Sequence, residues 1–402
     1  MRVCTVQQKL VANPIDDVTA AVRAQLDRLG DPPAGEVAVT VGSRGIDNLV
    51  EITRAAGDWL RDHGAKPFVV PSMGSHNGAT AEGQREMVES LGVTEEAVGM
   101  PIRSSMECVK VGTTATGDVW MDRHCHESAG VLVVNRVKLH TCFSGPVQSG
   151  LTKMMVVGMG KIRSAETFHS TPTPQMKEML REMGQTLVDT GKIWAGLAIL
   201  EDGYDKTAEL HAIAAKDILD TEPELLERHR SYFPRLPLED INVLVVQRIG
   251  KTFSGTGMDP NVIGRRGVNS FEDIEKPEVN VIAALELAEA SKGNAIGVGL
   301  ADFITRRLRD AIDEHKTFIN VYTTGDMQRA KIPATLADDH EVVERMTQRY
   351  GDKGWVFIPN TLHLDKFWIS EDLAPVVKQH ERCESVGEPA DLAFSEGRVQ
   401  LA

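Results

Sequence analysis

The sequence predicts an α/β protein of two domains, each built on a largely parallel sheet. Short apolar runs recur along the 402 residues, and each is followed by a glycine-rich or polar loop and then by apolar residues at helical spacing. The runs 131–134 and 243–246 are continuously apolar, which is typical of parallel strands covered by helices on both faces. A chain that is 42% hydrophobic and of this length can bury a large core, and we expect it to do so in two domains.

The elements follow from these runs in chain order. The predicted strands are 36–41, 67–70, 130–134, 195–200, 242–246, 279–284, 318–322 and 355–359. The predicted helices, in which apolar residues recur at three and four, are 48–62, 81–91, 174–190, 301–314 and 338–349.

A domain boundary is predicted near residue 236. The stretch 231–237 carries two prolines directly before a new apolar run, a composition typical of a linker. We therefore expect an N-terminal domain of residues 1–236 and a C-terminal domain of residues 237–381, with the tail 382–402 packing back on the first domain.

Composition excludes several classes of partner. The chain has 44 basic and 58 acidic residues and a net charge of −14, which opposes binding to nucleic acids and to anionic membrane surfaces. Its five cysteines include no C-x-x-C pair, so neither a disulfide framework nor a cysteine zinc site is predicted. No run approaches the roughly 18 apolar residues that span a bilayer. We expect a cytoplasmic protein that acts on a small molecule; homo-oligomerisation is left open.

Two loops after predicted strands are the first candidates for function, because ligands of open α/β sheets bind beyond the carboxyl ends of the strands. The segment 42–46 offers glycines, backbone N–H groups and Arg44 to an anion, although it could equally be a plain turn into a helix. The segment 71–80 carries His76, which is either an acid/base group or a surface imidazole on a helix-capping loop.

The third loop, residues 135–154, is the predicted active site. It contains three basic residues, a histidine, several hydroxyls and two glycines, a density of polar groups that packing does not explain. The following segment continues to another histidine, His169. Arg136, Lys138 and Lys161 are interpreted only as solvated or phosphate-neutralising side chains.

These loops hold an ordered set of motifs: Gly42-Ser43-Arg44, Gly74-Ser75-His76, His140 followed by Phe143-Ser144-Gly145, Lys153, and His169. The set resembles the lactate racemase family that uses a nickel-pincer nucleotide. The most specific part is the order His140, Lys153, His169, with sixteen residues from the lysine to the last histidine. The resemblance covers about residues 36–170 and is architectural beyond residue 240.

The resemblance implies an isomerase: a racemase or epimerase that inverts the α-carbon of a 2-hydroxy acid by reversible hydride transfer. The implied cofactor is pyridinium-3-thioamide-5-thiocarboxylic acid mononucleotide with Ni(II), supplied by separate cofactor-synthesis enzymes. The implied active site lies in the cleft between two domains.

Roles carry over to matching positions. Lys153 corresponds to the covalent tether and His169 to the protein ligand of nickel, a metal that imidazole suits. His76 and His140 correspond to two opposed acid/base groups. The resemblance assigns the remaining contacts with cofactor to Ser43, Arg44, Ser144 and Gly145, and Arg44 also contacts substrate.

In the second domain, Lys251 is the best candidate for binding the substrate carboxylate. It lies in the glycine-rich loop 248–260, which could also be a simple connection. Arg265 and Arg266 are weaker candidates.

Two other functions remain open at this point. One is a zinc or iron hydrolase or lyase that uses His76, His140 and His169 as three metal ligands. The other is a non-catalytic nickel- or nucleotide-binding protein that uses only Lys153 and His169. Metal content separates the first from a nickel racemase, and activity separates the second.

Overall fold

The computed structural model describes residues 1–268 and 273–401, and this part of the chain divides into two compact units. One unit is Val11–Phe233. The other joins Met1–Leu10 to the described residues from Pro234 onward. The change from one unit to the other therefore falls inside the proline-containing stretch 231–237, and the first ten residues belong with the second unit.

The first strand, β1 (Arg2–Gln8), belongs to the second unit. The strands of the Val11–Phe233 unit are β2 (Glu36–Val41), β3 (Lys66–Pro71), β4 (Cys108–Thr114), β5 (Gly117–Asp122), β6 (Gly130–Arg136), β7 (Ile193–Glu201) and β8 (Thr207–Ala214). Its α-helices are α1 (Val18–Leu26), α2 (Leu49–Asp62), α3 (Ala81–Ser90), α4 (Glu95–Val98), α5 (Arg123–Glu127), α6 (Leu151–Lys153), α7 (Lys161–Ser170), α8 (Met176–Asp189) and α9 (Ile218–Tyr232).

The main sheet of this unit has the strand order β3-β2-β6-β7-β8. The first four strands run parallel, and β8 is antiparallel to β7. Strands β4 and β5 form a separate antiparallel hairpin. Every residue of β2 except Glu36 is buried, as expected of a strand covered on both faces. Because β3, β2 and β6 are neighbours, the loops that follow them emerge side by side at one edge of the sheet.

The other unit also contains a mixed sheet. Its further strands are β9 (Asp240–Ile249), β10 (Glu278–Leu287), β11 (Phe303–Thr305), β12 (Ala334–Leu336), β13 (Trp355–Ile358), β14 (Lys366–Ser370), β15 (Cys383–Val386), β16 (Ala390–Asp391), β17 (Ala393–Ser395) and β18 (Arg398–Gln400). Its α-helices are α10 (Pro260–Ile263), α11 (Arg306–Asp310), α12 (Glu314–Thr324), α13 (Asp339–Tyr350) and α14 (Ala374–Val377).

The order of that sheet is β12-β11-β10-β9-β13-β14-β1-β15. Strands β12 to β13 in this order run parallel, whereas β14, β1 and β15 are antiparallel to their neighbours. The tail strands β15 and β16 both pair with β1. The predicted α/β class with largely parallel sheets is confirmed.

Two predicted elements are wrong. The segment 318–322 was predicted as a strand but lies inside α12, which Asp313 caps by accepting a hydrogen bond from the Lys316 N–H and which Gly325 ends in a left-handed conformation. The predicted helix 301–314 is instead β11 followed by the short α11. The Thr305 hydroxyl caps α11, so this helix begins directly after β11, the strand that pairs with β10.

Among the described residues, no helix combines the length and the apolar character that crossing a membrane requires.

Candidate active site

The loops after β2 and β3 meet through Ser43 and His76. The Ser43 hydroxyl lies 2.5 Å from Nδ1 of His76. Ser43 directly follows Gly42 at the end of β2, and His76 ends the loop that leaves β3. The contact engages one ring nitrogen of His76 and so orients the imidazole.

The loop after β6 brings His140 to Lys153. Nε2 of His140 lies 2.7 Å from the Lys153 amine, and Nδ1 accepts a hydrogen bond of 3.0 Å from the backbone N–H of Cys142. The backbone N–H of His140 also donates to the buried side chain of Gln148 at 2.6 Å. Because Nδ1 is an acceptor, the neutral ring carries its proton on Nε2 and donates it to the amine. This arrangement suits the free-amine form of Lys153.

The electrostatic surroundings of Lys153 favour the same form. Burial lowers the pKa of Lys153 to about 8, and the positive charges of Lys138 and Arg44 add to this effect, while the Cys142 thiol opposes it. The amine also lies 5.1 Å from the centre of the Phe168 ring. Near neutral pH an unusually large fraction of Lys153 is therefore the nucleophilic free amine.

The chain changes direction between Lys153 and α7, so that the end of α7 lies beside Lys153. A single turn of π-helix, Met154–Gly158, follows α6, and such turns are frequent at functional sites. Lys161 then adopts a left-handed backbone with φ of 52°. If the helix ran straight, the 15 residues from Lys153 to Phe168 would span roughly 22 Å. Instead the two side chains are in contact.

His169 follows Phe168 in the last turn of α7, and its ring lies 5.5 Å from that of Phe168. Its side chain is exposed. Desolvation by the surrounding protein, together with the positive charge of Lys153, lowers the pKa of His169 below its usual value. The ring is therefore neutral at pH 7, which is the form that binds a metal ion.

Basic groups gather at this edge of the sheet although the whole chain is acidic. Arg44 is exposed, and its pKa is lowered by desolvation and by the positive charge of Arg136. Lys138 and Arg44 in turn act on Lys153. This cluster of positive charges would attract an anionic ligand although the chain as a whole is acidic.

Ser144 and Gly145, which are predicted to bind the cofactor, lie in the loop after β6 that also contains His140. The carbonyl of Gly145 accepts a hydrogen bond of 3.1 Å from the Gln148 side chain. A Cβ atom at Gly145 would lie 3.0 Å from Cβ of Lys177, so the backbone passes close to α8 here. What the two residues bind stays a prediction.

Two basic residues that the sequence interpretation left to solvent or phosphate have defined partners. Arg136 forms an ion pair with the buried carboxylate of Glu201. Lys161 has no exposed surface, and its ammonium group is surrounded by protein acceptors. The interpretation of Lys161 as solvated is therefore wrong, because tertiary contacts that sequence spacing does not reveal enclose it.

Sequence reasoning missed Glu222, which lies in the amphipathic helix α9 and carries no local signal of function. Its Oε2 accepts hydrogen bonds from the backbone N–H and the hydroxyl of Thr152, at 2.8 and 2.7 Å. The carboxylate thus caps the first turn of α6, one residue before Lys153. A Cβ atom at Gly150 would lie 2.2 Å from Oε1, so only glycine fits beside this carboxylate. Burial raises the pKa of Glu222 to about 7, with the Thr152 hydrogen bonds acting against the rise.

We expect Glu222→Gln to change how stability depends on pH. The native state binds this proton more tightly than the unfolded state, where the pKa is near 4.5, so the wild type loses stability as pH rises from about 4.5 to 7. The difference of about 2.5 units corresponds to about 3 kcal/mol in the free energy of unfolding. Urea unfolding at pH 5 and pH 8 should show this loss in the wild type but not in the variant.

Glu224 provides the matched control, because it lies in the same helix and is exposed. Glu224→Gln should follow the wild-type pH profile. Parallel profiles for wild type and Glu222→Gln would mean that Glu222 does not titrate as its surroundings imply.

The substrate-binding candidates of the second domain lie in the other unit. The ammonium group of Lys251 donates to Oδ1 of Asn320 at 2.8 Å. Arg265 forms an ion pair with Asp302 at 2.9 Å and also donates to the Leu300 carbonyl. A role of these residues in substrate binding stays a prediction.

The three-histidine metal site receives no support from the geometry. In the described ranges 1–268 and 273–401, no group of three or more His, Cys, Asp or Glu side chains is arranged to hold a metal ion. His76 pairs with Ser43, and His140 pairs with Lys153. A single histidine such as His169 still suffices where an organic group supplies the other ligands.

Comparison with known proteins identifies a fold. The chain matches no family model and no curated protein. Among solved structures it is similar to the lactate racemase apoprotein from Thermoanaerobacterium thermosaccharolyticum, with a TM-score of 0.52 and 12% sequence identity over 90% of this chain and 99% of that chain. At this identity the similarity establishes architecture, and the chain accordingly has the α/β fold of the lactate racemase apoprotein.

Proposed function

We propose that this protein is a 2-hydroxy acid racemase or epimerase of the lactate racemase type, which carries a nickel-pincer nucleotide on Lys153. The observation that carries the proposal is the 2.7 Å contact of the buried Lys153 amine with His140, together with the position of Phe168 and His169 at the end of α7 beside the same lysine. The fold shared with a lactate racemase apoprotein supports it.

The residues present fit this cofactor. A nucleophilic amine is what covalent attachment requires, and neutral His169 is suited to complete a nickel centre. The positive charges of Arg44 and Lys138 suit the cofactor phosphate, with Ser43 as a hydrogen-bond partner. When bound, the group supplies nickel and a reversible hydride acceptor.

The chain itself handles the substrate anion and its hydroxyl proton. Arg44 binds the carboxylate of a 2-hydroxy acid. His76, which Ser43 orients through Nδ1, exchanges the hydroxyl proton through Nε2 on one face of the substrate. His140 does so on the opposite face. A Lys153 nitrogen that is part of a thioamide would no longer offer a basic lone pair to Nε2 of His140, so this ring nitrogen would become available for proton exchange with the substrate.

A panel of 2-hydroxy acids labelled with deuterium at the α-carbon tests this function. The protein is produced together with cofactor-synthesis enzymes and assayed by chiral separation and mass spectrometry. We expect inversion of at least one acid with deuterium retained, because the hydrogen leaves and returns as hydride. Washout of deuterium into solvent would indicate proton abstraction, and loaded protein that inverts none of the acids would be a carrier.

A further inference from the structure

We propose that Lys161 is a positioning residue, which joins the loop of His76 to helix α7 and thereby holds His169 beside Lys153. This inference rests on the proposed function, since it gives a purpose to the position of His169. Lys161 itself lies outside the predicted set of cofactor and substrate contacts.

The first observation is the conformation of Lys161 at the reversal before α7. Its φ of 52° lies in the left-handed region, which glycine adopts freely and which a residue with a Cβ adopts at a cost. Nevertheless its side chain is fully buried. A lysine that is both left-handed and buried is explained by what its ammonium group binds, since an unpaired charge in this environment would be strongly destabilising.

The second observation is the set of partners. The ammonium group donates to the Pro71 carbonyl at the end of β3 and to Oε1 of Gln84 at 3.1 Å, and lies 3.2 Å from Oδ2 of Asp122. Gln84 and Asp122 are also fully buried. Asp122 uses its other oxygen to cap α5 through the Cys125 N–H. Lys161 and Asp122 thus form a buried ion pair, and each of them is also hydrogen-bonded to other protein groups, so the network permits little movement of its members.

The third observation is that these partners hold the loop of His76. The side-chain amide of Gln84 donates to the Gly74 carbonyl at 2.8 Å, two residues before His76. The backbone N–H of Gly74 donates to the Gly158 carbonyl at 3.2 Å, just before the reversal. A Cβ at Gly74 would lie 3.3 Å from Cβ of Ala165 in α7. Lys161, the first residue of α7, is therefore connected through Pro71 and Gln84 to the loop of His76.

The test uses a double variant that removes both charges without leaving either one buried alone. Lys161→Met combined with Asp122→Asn keeps the volume and the α5 cap. Lys192→Met is the matched control. Lys192 directly precedes β7, its ammonium group donates to the Ser128 carbonyl, and it is not part of this network. Each protein is produced with the cofactor-synthesis enzymes, and nickel is measured per covalent adduct on Lys153.

We expect the double variant to keep its adduct, because Lys153 precedes the reversal, and to lose nickel per adduct by at least about tenfold, as a displaced ligand would. The control should match the wild type. Unchanged nickel per adduct in the double variant would overturn the positioning role while leaving the proposed function intact. If the wild type itself carried neither adduct nor nickel, the proposed function would be refuted instead.

Hydrogen exchange on the protein without cofactor provides a second, independent readout. In the double variant, peptides covering 72–80 and 161–170 should lose protection together, while the peptide covering β2 stays protected. Retained protection in both segments would overturn the connection. Uniform loss across all peptides would show a general defect in packing and would likewise contradict a local connection.

Discussion

Replacing either His76 or His140 by asparagine should abolish net inversion, with the rate per loaded Lys153 falling by about 10²–10⁴ in each variant. The reason is geometric: one histidine must accept the hydroxyl proton on one face of the substrate, and the other must return it on the opposite face. The Ser43 contact orients the ring of His76, and the hydrogen bond from the Cys142 N–H orients the ring of His140. Asparagine keeps a polar side chain but cannot exchange a proton.

The two variants should also differ in direction. Each retains the histidine on one face, so each should release the 2-keto acid in a single turnover from one enantiomer only, and the two variants should choose opposite enantiomers. Nickel and adduct content must first be shown to equal the wild type, because His140 also pairs with Lys153. Near-normal inversion by both loaded variants would contradict two-base catalysis.

Replacing His169 by alanine should remove most of the bound nickel while leaving the organic adduct on Lys153. The ligand and the tether are separate chemical functions. Because losing a mere outer-shell partner of a ligand typically costs about 10–100-fold in metal affinity, losing the ligand itself should cost at least as much. Metal analysis and intact mass on the same sample measure both. His126→Ala is the control, because His126 lies on α5 in the short His-Cys-His motif and should not affect nickel.

Loss of the adduct in His169→Ala, or full nickel retention with the adduct present, would contradict the assignment of His169. Loss of folded protein would show a structural role instead, although the exposure of this side chain argues against one.

The sequence predicts the parts of the site that local pattern determines. Ser43, His76 and the segment after β6 were identified because each follows a buried strand in a polar or glycine-rich loop, and parallel strands place such loops at one edge of the sheet. The family resemblance assigned His140 and Lys153 to one site, whereas their direct contact is known only from the structure. The hydrogen bond from the Cys142 N–H that orients the ring of His140 could not be anticipated, because it depends on the fold of an irregular loop.

What the sequence does not predict depends on long-range contacts. Glu222 lies 70 residues beyond Thr152, and nothing in the amphipathic pattern of α9 marks it as the cap of α6. The local sequence around Lys161 is that of a surface lysine, and only its distant partners in β3, α3 and β5 bury it. The prediction of a strand at 318–322 was wrong. Phe318, Ile319 and Tyr322 are residue types common in strands, but the caps on either side of them favour a helix.

The place of the first residues is unpredictable for the same reason. Residues 2–8 form β1, which pairs with β14 more than 350 residues later in the chain. No local pattern reports a pairing over that distance.

The central claim is that Lys153 carries the nickel-bearing group. Protein produced with the cofactor-synthesis enzymes should show a covalent mass increment on the peptide that contains Lys153, with nickel in equal amount. Lys153→Arg, which keeps the charge but is a poor nucleophile, should show neither the increment nor the metal. An increment on a different peptide, or one that persists unchanged in Lys153→Arg, would contradict the account.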